Sequence, residues 1–191
     1  MKKGLLIILS GPSGVGKGTV RKYIMENYNL QFTYSISMTT RPPRDKEVDG
    51  VDYYFVSKEE FQRNIEAGNF LEYQEFVGNY YGTPRDKVEE IRNQGKNVLL
   101  EIEVKGATEV MSKVNDDRVI SFFIMPPNVD ALEQRIRRRK TEDESVIQER
   151  LQKGVKEMDC ACNYDHLILN DNVERASQEI VDLIKAKLKK R

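Results

Sequence analysis

The sequence has few of the residues that build metal cages, disulfide frameworks and histidine-based active sites. Its 191 residues include 2 cysteines, Cys160 and Cys162, and 1 histidine, His166. Two cysteines cannot form a disulfide framework, and a single histidine argues against a histidine-rich metal site or a histidine-activated nucleophile. The segment 160–166 also falls short of the four ligands that a structural zinc ion takes.

An excess of charge of one sign and a long hydrophobic run are missing as well. Lys and Arg number 31, and Asp and Glu also number 31, so the net charge is zero. Because nucleic-acid-binding proteins usually carry a basic excess, we expect no nucleic-acid partner. The longest aliphatic run, residues 5–9, is too short to span a bilayer or to form the core of a signal peptide. We therefore expect a cytoplasmic protein with no membrane partner, and no feature points to an obligate protein partner.

What the sequence does contain is an alternation of aliphatic strands and helical stretches. Hydrophobic residues make up 39% of the chain, which is enough for an ordered core. The predicted strands 5–9, 98–102, 119–125 and 167–169 are aliphatic and separated by helices, which is typical of a parallel sheet covered on both faces. The fold class is therefore α/β. A middle segment with more aromatic residues, about 35–82, has the character of an insertion.

Within that insertion, local signals predict short elements. We expect strands at 35–38, 53–56 and 70–77, and a helix that begins with a capping box at Ser57. Residues 79–82 have a composition typical of a turn. Thr83 is a candidate helix cap, with Pro84 at the first helical position.

A glycine-rich loop with a lysine follows the first strand. Gly11-Pro-Ser-Gly-Val-Gly16-Lys17 lies between a buried strand and a helix, which is the context that a phosphate-binding loop requires. Its backbone N–H groups and the helix N-terminus attract phosphate oxygens. The strict pattern has Ser or Thr directly after the lysine, whereas here Gly18 intervenes before Thr19. A plain glycine-rich turn is the alternative interpretation.

Carboxylates and arginines with candidate roles occur at several further positions. Glu101 and Glu103 end a buried strand, where ligands bind in open α/β sheets, or they are solvated strand-end charges. Arg41 and Arg44 flank a turn, and the planar arginine guanidinium matches phosphate oxygens; surface or packing roles are the alternative interpretation when each residue is taken alone. The cluster at 135–140 holds five positive charges, which predicts either a lid over nucleotide phosphates or a solvated face.

These motifs occur in an order that resembles the guanylate kinase family. The resemblance rests on the Gly11–Lys17 loop, Thr39-Thr-Arg-Pro-Pro-Arg44, Gly50-Val-Asp-Tyr-Tyr-Phe, Gly78-Asn-Tyr-Tyr-Gly-Thr83 and Asn170-Asp171, and it runs from residue 4 to about 183. It implies a three-layer α/β/α P-loop fold with a parallel core sheet, an inserted mixed α+β GMP-binding subdomain and a short helical lid. The implied boundaries are core 1–34, GMP-binding subdomain 35–83, core 84–125, lid region 126–158 and core 159–191.

The resemblance also implies an activity and a set of site residues. The reaction would transfer the γ-phosphoryl group of ATP to GMP, giving ADP and GDP, with Mg²⁺ as cofactor and ATP and GMP as partners. The implied catalytic residues are Lys17, Arg135, Arg139 and Arg150. The implied ATP-binding residues are Gly11, Pro12, Ser13, Gly14, Val15, Gly16, Lys17, Gly18, Thr19 and Asn170. The implied GMP-binding residues are Ser37, Arg41, Arg44, Glu47, Tyr53, Glu72, Tyr81, Thr83 and Glu101. No direct protein ligand to Mg²⁺ is expected, and contact would pass through water near Thr19, Glu101 and Glu103.

Two other interpretations remain open from the sequence. One is a non-catalytic guanylate-kinase-like binding module, against which the retained Gly16-Lys17 argues. The other is a P-loop kinase that acts on another nucleotide such as AMP, against which Glu72 and Tyr81 argue.

Overall fold

The computed structural model describes residues 2–76, 78–114, 116–138 and 143–189. The strands are β1 Leu6–Ser10, β2 Phe32–Tyr34, β3 Met38–Thr39, β4 Tyr54–Phe55, β5 Phe70–Phe76, β6 Asn79–Pro84, β7 Asn97–Glu101, β8 Val119–Met125 and β9 His166–Leu169. The helices are α1 Lys17–Asn27, α2 Lys58–Glu66, α3 Arg85–Asn93, α4 Val104–Lys113, α5 Val129–Arg137, α6 Glu144–Met158 and α7 Val173–Lys189, and a short 3₁₀ helix covers Asp159–Asn163.

A five-stranded parallel sheet forms the core, in the order β2-β7-β1-β8-β9. Its central strand β1 is fully buried, because helices cover both faces of the sheet. The predicted α/β class and parallel core are confirmed. The edge strand β2 lies outside the predicted set, because three half-buried residues give no aliphatic signal.

A second, mixed sheet of four strands has the order β4-β3-β6-β5. The turn predicted at 79–82 is wrong, since these residues belong to β6, which pairs antiparallel with β5. Thr83 is also not a helix cap: Pro84 holds the N-cap position of α3, and the Thr83 hydroxyl points to a carboxylate of β5. The predicted strand at 35–38 is displaced to β3.

Side-chain N-caps are present on α2 and α5. The Ser57 hydroxyl accepts a hydrogen bond from the Glu60 amide at 3.1 Å, as the capping box predicts. Asn128 caps α5 through the Ala131 amide. No helix in the described ranges combines the length and apolar character needed to cross a membrane.

Candidate active site

The loop between β1 and α1 has the backbone shape of a phosphate cradle. Gly14 and Gly16 have φ of 86° and 101°, in the left-handed region that glycine adopts without strain. A Cβ at Gly14 would also lie 2.7 Å from the Ile136 side chain, so no larger residue fits. The glycines therefore set the direction of the loop amides just before the N-terminus of α1.

Lys17 folds back over this loop. Its Nζ donates hydrogen bonds to the Gly11 carbonyl at 2.6 Å and to the Pro12 carbonyl at 3.1 Å. Burial lowers the pKa of Lys17, and the nearby carboxylates of Glu103 and Glu101 oppose this shift. The lysine is thus a desolvated ammonium whose present partners are neutral carbonyl oxygens.

Arg135 and Asn170 hold the loop from the side of α5 and the end of β9. The Val15 carbonyl accepts from Arg135 Nη1 at 2.9 Å and from Asn170 Nδ2 at 2.8 Å. Arg135 Nη2 also donates to the Asn170 carbonyl at 2.7 Å. Asn170 Oδ1 is buried without a hydrogen-bond partner among the described residues, which leaves one acceptor for a ligand. Arg135, predicted to be catalytic, and Asn170, predicted to bind ATP, therefore meet at the loop.

One face of α6 also rests on the loop. Arg150 Nη2 donates to the Ser13 hydroxyl at 3.0 Å, and the Ser13 amide donates to Glu157 Oε2 at 3.3 Å. A Cβ at Gly154 would lie 3.6 Å from Pro12 Cβ, so the helix packs closely there. Lys153, on the same face, pairs with Glu103 at 2.5 Å. Arg150 is thus brought to the loop as predicted, while Lys153 and Glu157 were not singled out from the sequence.

The two carboxylates at the end of β7 have separate cationic partners. Glu101 Oε2 accepts from Arg21 Nε at 2.6 Å, and the Arg21 guanidinium lies 4.5 Å from the centre of the Tyr34 ring. Burial, followed by the Glu101 charge, raises the pKa of Tyr34 to about 12. Burial would raise the pKa of Glu103, but the hydrogen bond and charge of Lys153 outweigh it and lower that pKa.

Gly18 leaves room for the Glu101 carboxylate next to α1. A Cβ at Gly18 would lie 3.3 Å from Glu101 Oε1. The carboxylate therefore lies beside the position where the strict loop pattern carries a hydroxyl side chain. Thr19, the next hydroxyl, is exposed.

The second sheet carries a buried acid, Glu72 on β5. Its side chain is 5% exposed, and Oε1 accepts from the Thr83 hydroxyl of β6 at 2.6 Å. Burial raises the pKa of Glu72, and the hydrogen bond from Thr83 opposes the shift. Ser37, which is half-buried, precedes β3 in the same sheet, and its carbonyl accepts from the Tyr54 amide.

The arginines and tyrosines of the second sheet form a separate group. Arg41 binds both carboxylate oxygens of Glu47, at 3.0 and 2.9 Å, and its guanidinium lies 5.5 Å from the Tyr53 ring. The hydrogen bond to Glu47 raises the pKa of Arg41. Tyr53 and Tyr81 make an edge-to-face contact at 6.1 Å. The Arg44 amide also donates to Glu47, while its side chain is exposed.

One arginine of the predicted basic lid forms ion pairs that hold two helices together. Arg137 binds Glu133 of its own helix and both oxygens of Glu144 at the start of α6, so it joins α5 to α6. Arg138 is exposed at the end of α5. Arg139, predicted to be catalytic, lies outside the described residues.

Each of the comparisons with known proteins finds a match to guanylate kinases. A family model described as Guanylate kinase matches residues 3–187. A curated guanylate kinase of Enterococcus faecalis is 53% identical over 183 residues, which are 96% of this chain and 89% of that protein. The one from Mesoplasma florum is 52% identical over 95% of this chain, and this chain spans only 61% of its length.

A solved structure has the same architecture over the whole chain. The crystal structure of guanylate kinase from Anaplasma phagocytophilum superposes with a TM-score of 0.75 at 33% identity, covering 100% of this chain and 89% of that one. This chain belongs to the guanylate kinase family.

Proposed function

We propose that this chain transfers the γ-phosphoryl group of ATP to GMP, giving ADP and GDP. Membership of the guanylate kinase family supports the reaction, and the relatives carry the name of this activity. In the same proposal, residues 35–83 bind GMP, 126–158 form the lid region, and 1–34, 84–125 and 159–191 form the core.

Glu72 is the proposed reader of the base. Guanine presents its N1–H and its exocyclic N2 amine as adjacent donors, and a carboxylate accepts both. Thr83 orients one carboxylate oxygen, and Ser37, which precedes β3 of the same sheet, is the proposed donor to O6. Adenine would instead oppose the carboxylate with the N1 lone pair, so AMP is rejected by repulsion as well as by fit.

Cations of the second sheet are the proposed GMP phosphate site. Arg41 and Arg44 supply positive charge, and Tyr53 and Tyr81 supply hydroxyl donors beside them. Glu47 fixes the orientation of the Arg41 fork through two hydrogen bonds. A phosphate then meets a guanidinium whose geometry is already set.

On the ATP side, the proposal assigns the phosphates to the loop 11–19 and its cations. The left-handed glycines, the N-terminus of α1 and Lys17 attract the phosphate oxygens. Arg135 and Arg150 reach the same loop, and charge at this point stabilises the phosphoryl group in transfer. Asn170, with its free acceptor, is the proposed contact to adenine.

The donor set fits a Mg²⁺ ion that arrives with ATP. Within the described residues, no cluster of three or more His, Cys, Asp or Glu side chains could hold a metal alone. Mg²⁺ commonly binds through substrate phosphates, water and one or two carboxylates, and Glu101 and Glu103 lie near Lys17 for that purpose. The ion would neutralise phosphate charge.

The observation that carries the proposal is a single chain with both a formed phosphate loop and a buried, hydroxyl-bound Glu72. The test is ADP release from ATP with GMP, with AMP and without an acceptor, together with product analysis for GDP. We expect turnover with GMP and a large preference over AMP. Turnover that prefers AMP would support the alternative kinase, and GMP binding without turnover would support the binding module.

A further inference from the structure

Glu72 lies against a glycine of the core, Gly106 in the first turns of α4. A Cβ at Gly106 would lie 2.7 Å from Glu72 Oε2, 3.1 Å from Cδ and 3.2 Å from Cγ. These distances are shorter than van der Waals contact, so a side chain at position 106 would overlap the Glu72 carboxylate. Strand β5 packs directly on α4, which brings the two together.

Nothing in the backbone calls for glycine at 106. The residue lies inside Val104–Lys113 and is not among the glycines with positive φ. Within a helix, glycine is less favourable than alanine. A residue with a side chain would therefore stabilise the helix more than glycine does. The feature that such a side chain would disrupt is the close approach of Glu72.

The carboxylate has little freedom to yield. The Thr83 hydroxyl holds Oε1 at 2.6 Å, and the side chain is 5% exposed. Its neighbours Leu71 and Thr83 are buried as well, which restricts the directions in which the carboxylate can move. A methyl group at 106 would therefore push Oε2 away and break the alignment of the two oxygens.

We infer that Gly106 is a positioning residue for base recognition: its missing side chain sets where the Glu72 carboxylate lies. The inference rests on the proposed function, in which Glu72 reads guanine. It makes a helix of the core, which begins directly after Glu103, part of the selectivity of the second sheet. The effect is on the geometry of GMP binding and leaves the phosphate loop alone.

The test begins with Gly106→Ala. Because alanine favours the helix, the variant should fold. We expect its KM for GMP to rise at least about tenfold, the order of one damaged bidentate base contact. The KM for ATP should stay within about threefold of the parent, and the ratio of kcat/KM for GMP to that for AMP should fall about tenfold.

A matched control is Gly154→Ala in α6. There the new Cβ would meet Leu132 at 3.0 Å and Pro12 of the phosphate loop at 3.6 Å. We expect this change to act on the KM for ATP and to leave the GMP to AMP ratio as in the parent. Gly106→Ala should therefore change the KM for GMP, and Gly154→Ala should change the KM for ATP.

Rescue separates positioning from general damage. Glu72→Asp retracts the carboxylate by one methylene, which opens the space that the methyl of Gly106→Ala needs. When Glu72→Asp is already present, adding Gly106→Ala should change GMP affinity, measured by calorimetry, less than about twofold, against about tenfold in the parent. The comparison of Glu72→Asp with the double variant does not require the single Gly106→Ala variant to fold well.

Each outcome decides between the two proposals. If the parent phosphorylates GMP and Gly106→Ala keeps its GMP affinity and base preference, Gly106 does not position Glu72. An equal loss with and without Glu72→Asp also overturns the inference. A parent that neither binds nor phosphorylates GMP overturns the proposed function and, with it, this inference.

Discussion

Replacing Lys17 by methionine tests the phosphate side of the site most directly. The change keeps the length and apolar stem of the side chain and removes only the ammonium. In the structure that ammonium donates to the carbonyls of Gly11 and Pro12, and it is buried enough to lower its pKa. Both carbonyls lose a donor on substitution, but the loop shape depends on Gly14 and Gly16, which are unchanged.

The expected loss follows from the environment of the charge. A preorganised charged donor in a water-poor site contributes far more to a transition state than one in bulk water, because the local dielectric constant is low. Removing one such donor typically costs about 10²–10³ in kcat, or about 2.7–4 kcal/mol. Since burial already strips Lys17 of water, we expect a loss of at least about 10²-fold in kcat.

The assay is ADP release with saturating ATP and GMP, with GMP binding measured separately by calorimetry. GMP affinity should stay within about twofold, because Glu72 and Thr83 lie on the second sheet. Lys22→Met is the matched control, since Lys22 is an exposed lysine of the same helix, and it should behave like the parent. Turnover of Lys17→Met within about fivefold of the parent would refute the assignment of Lys17 to phosphoryl transfer.

Three further predictions concern the other charged groups. Arg150→Ala should lower kcat by more than it raises the KM for GMP, whereas the exposed Arg138→Ala should leave both near the parent in the same steady-state assay. Burial raises the pKa of Glu72, so this carboxylate takes up its proton at a higher pH than an exposed glutamate does. GMP affinity measured against pH should therefore begin to fall at that higher pH as the solution is acidified, and Glu72→Gln should remove this pH dependence. The same raised folded-state pKa means that the Glu72 contribution to stability decreases as pH rises from the unfolded to the folded pKa. Arg92→Leu should destabilise the fold by about 1–3 kcal/mol in urea unfolding, because the fully buried guanidinium no longer donates to Asp116 at 2.7 Å or to the Gly4 carbonyl at 3.1 Å, while Asp116 keeps Lys3 as a partner.

The sequence predicts the core well because burial there is uniform. Strand β8 matches the predicted range 119–125, and β1 and β7 lie within one residue of theirs. A strand covered on both faces must be aliphatic throughout, so its signal is local and unambiguous. The loop at 11–17 is predictable for a similar reason, since its glycines are required by backbone conformation.

The second sheet is harder to predict because pairing decides its structure. Residues 79–82 have the composition of a turn, yet they belong to β6. The Thr39 hydroxyl donates to the Tyr80 carbonyl at 2.9 Å, and the Tyr80 amide donates to the Thr40 hydroxyl at 2.9 Å. These contacts join segments about 40 residues apart, so they override the local preference of the chain.

The same limit applies to the site. Arg150, Lys153 and Glu157 follow the spacing of one helical face, so their common side was readable from the sequence. The targets of Lys153 and Glu157 could not be predicted from the sequence, because Glu157, for example, meets Ser13 across 144 positions of the chain. The role inferred for Gly106 could not be predicted from the sequence either, because it depends on the Glu72 carboxylate of the second sheet.

The hydrogen-bond partners of the cations imply different sources of affinity for the two proposed substrates. Lys17 and Arg135 donate to neutral backbone carbonyls, so a doubly charged phosphate offers them a stronger, charge-assisted bond. Arg41 already has a charged, bidentate partner in Glu47, and a phosphate must share or displace it. In the proposed function, binding of ATP would therefore replace weak hydrogen bonds of these cations by strong ones. Binding of GMP would replace one strong bond of Arg41 by another, so GMP affinity would depend more on the base contacts of Glu72 than on the phosphate contact of Arg41. A substrate that offers only a phosphate gains little from that site, which is consistent with selection by the base.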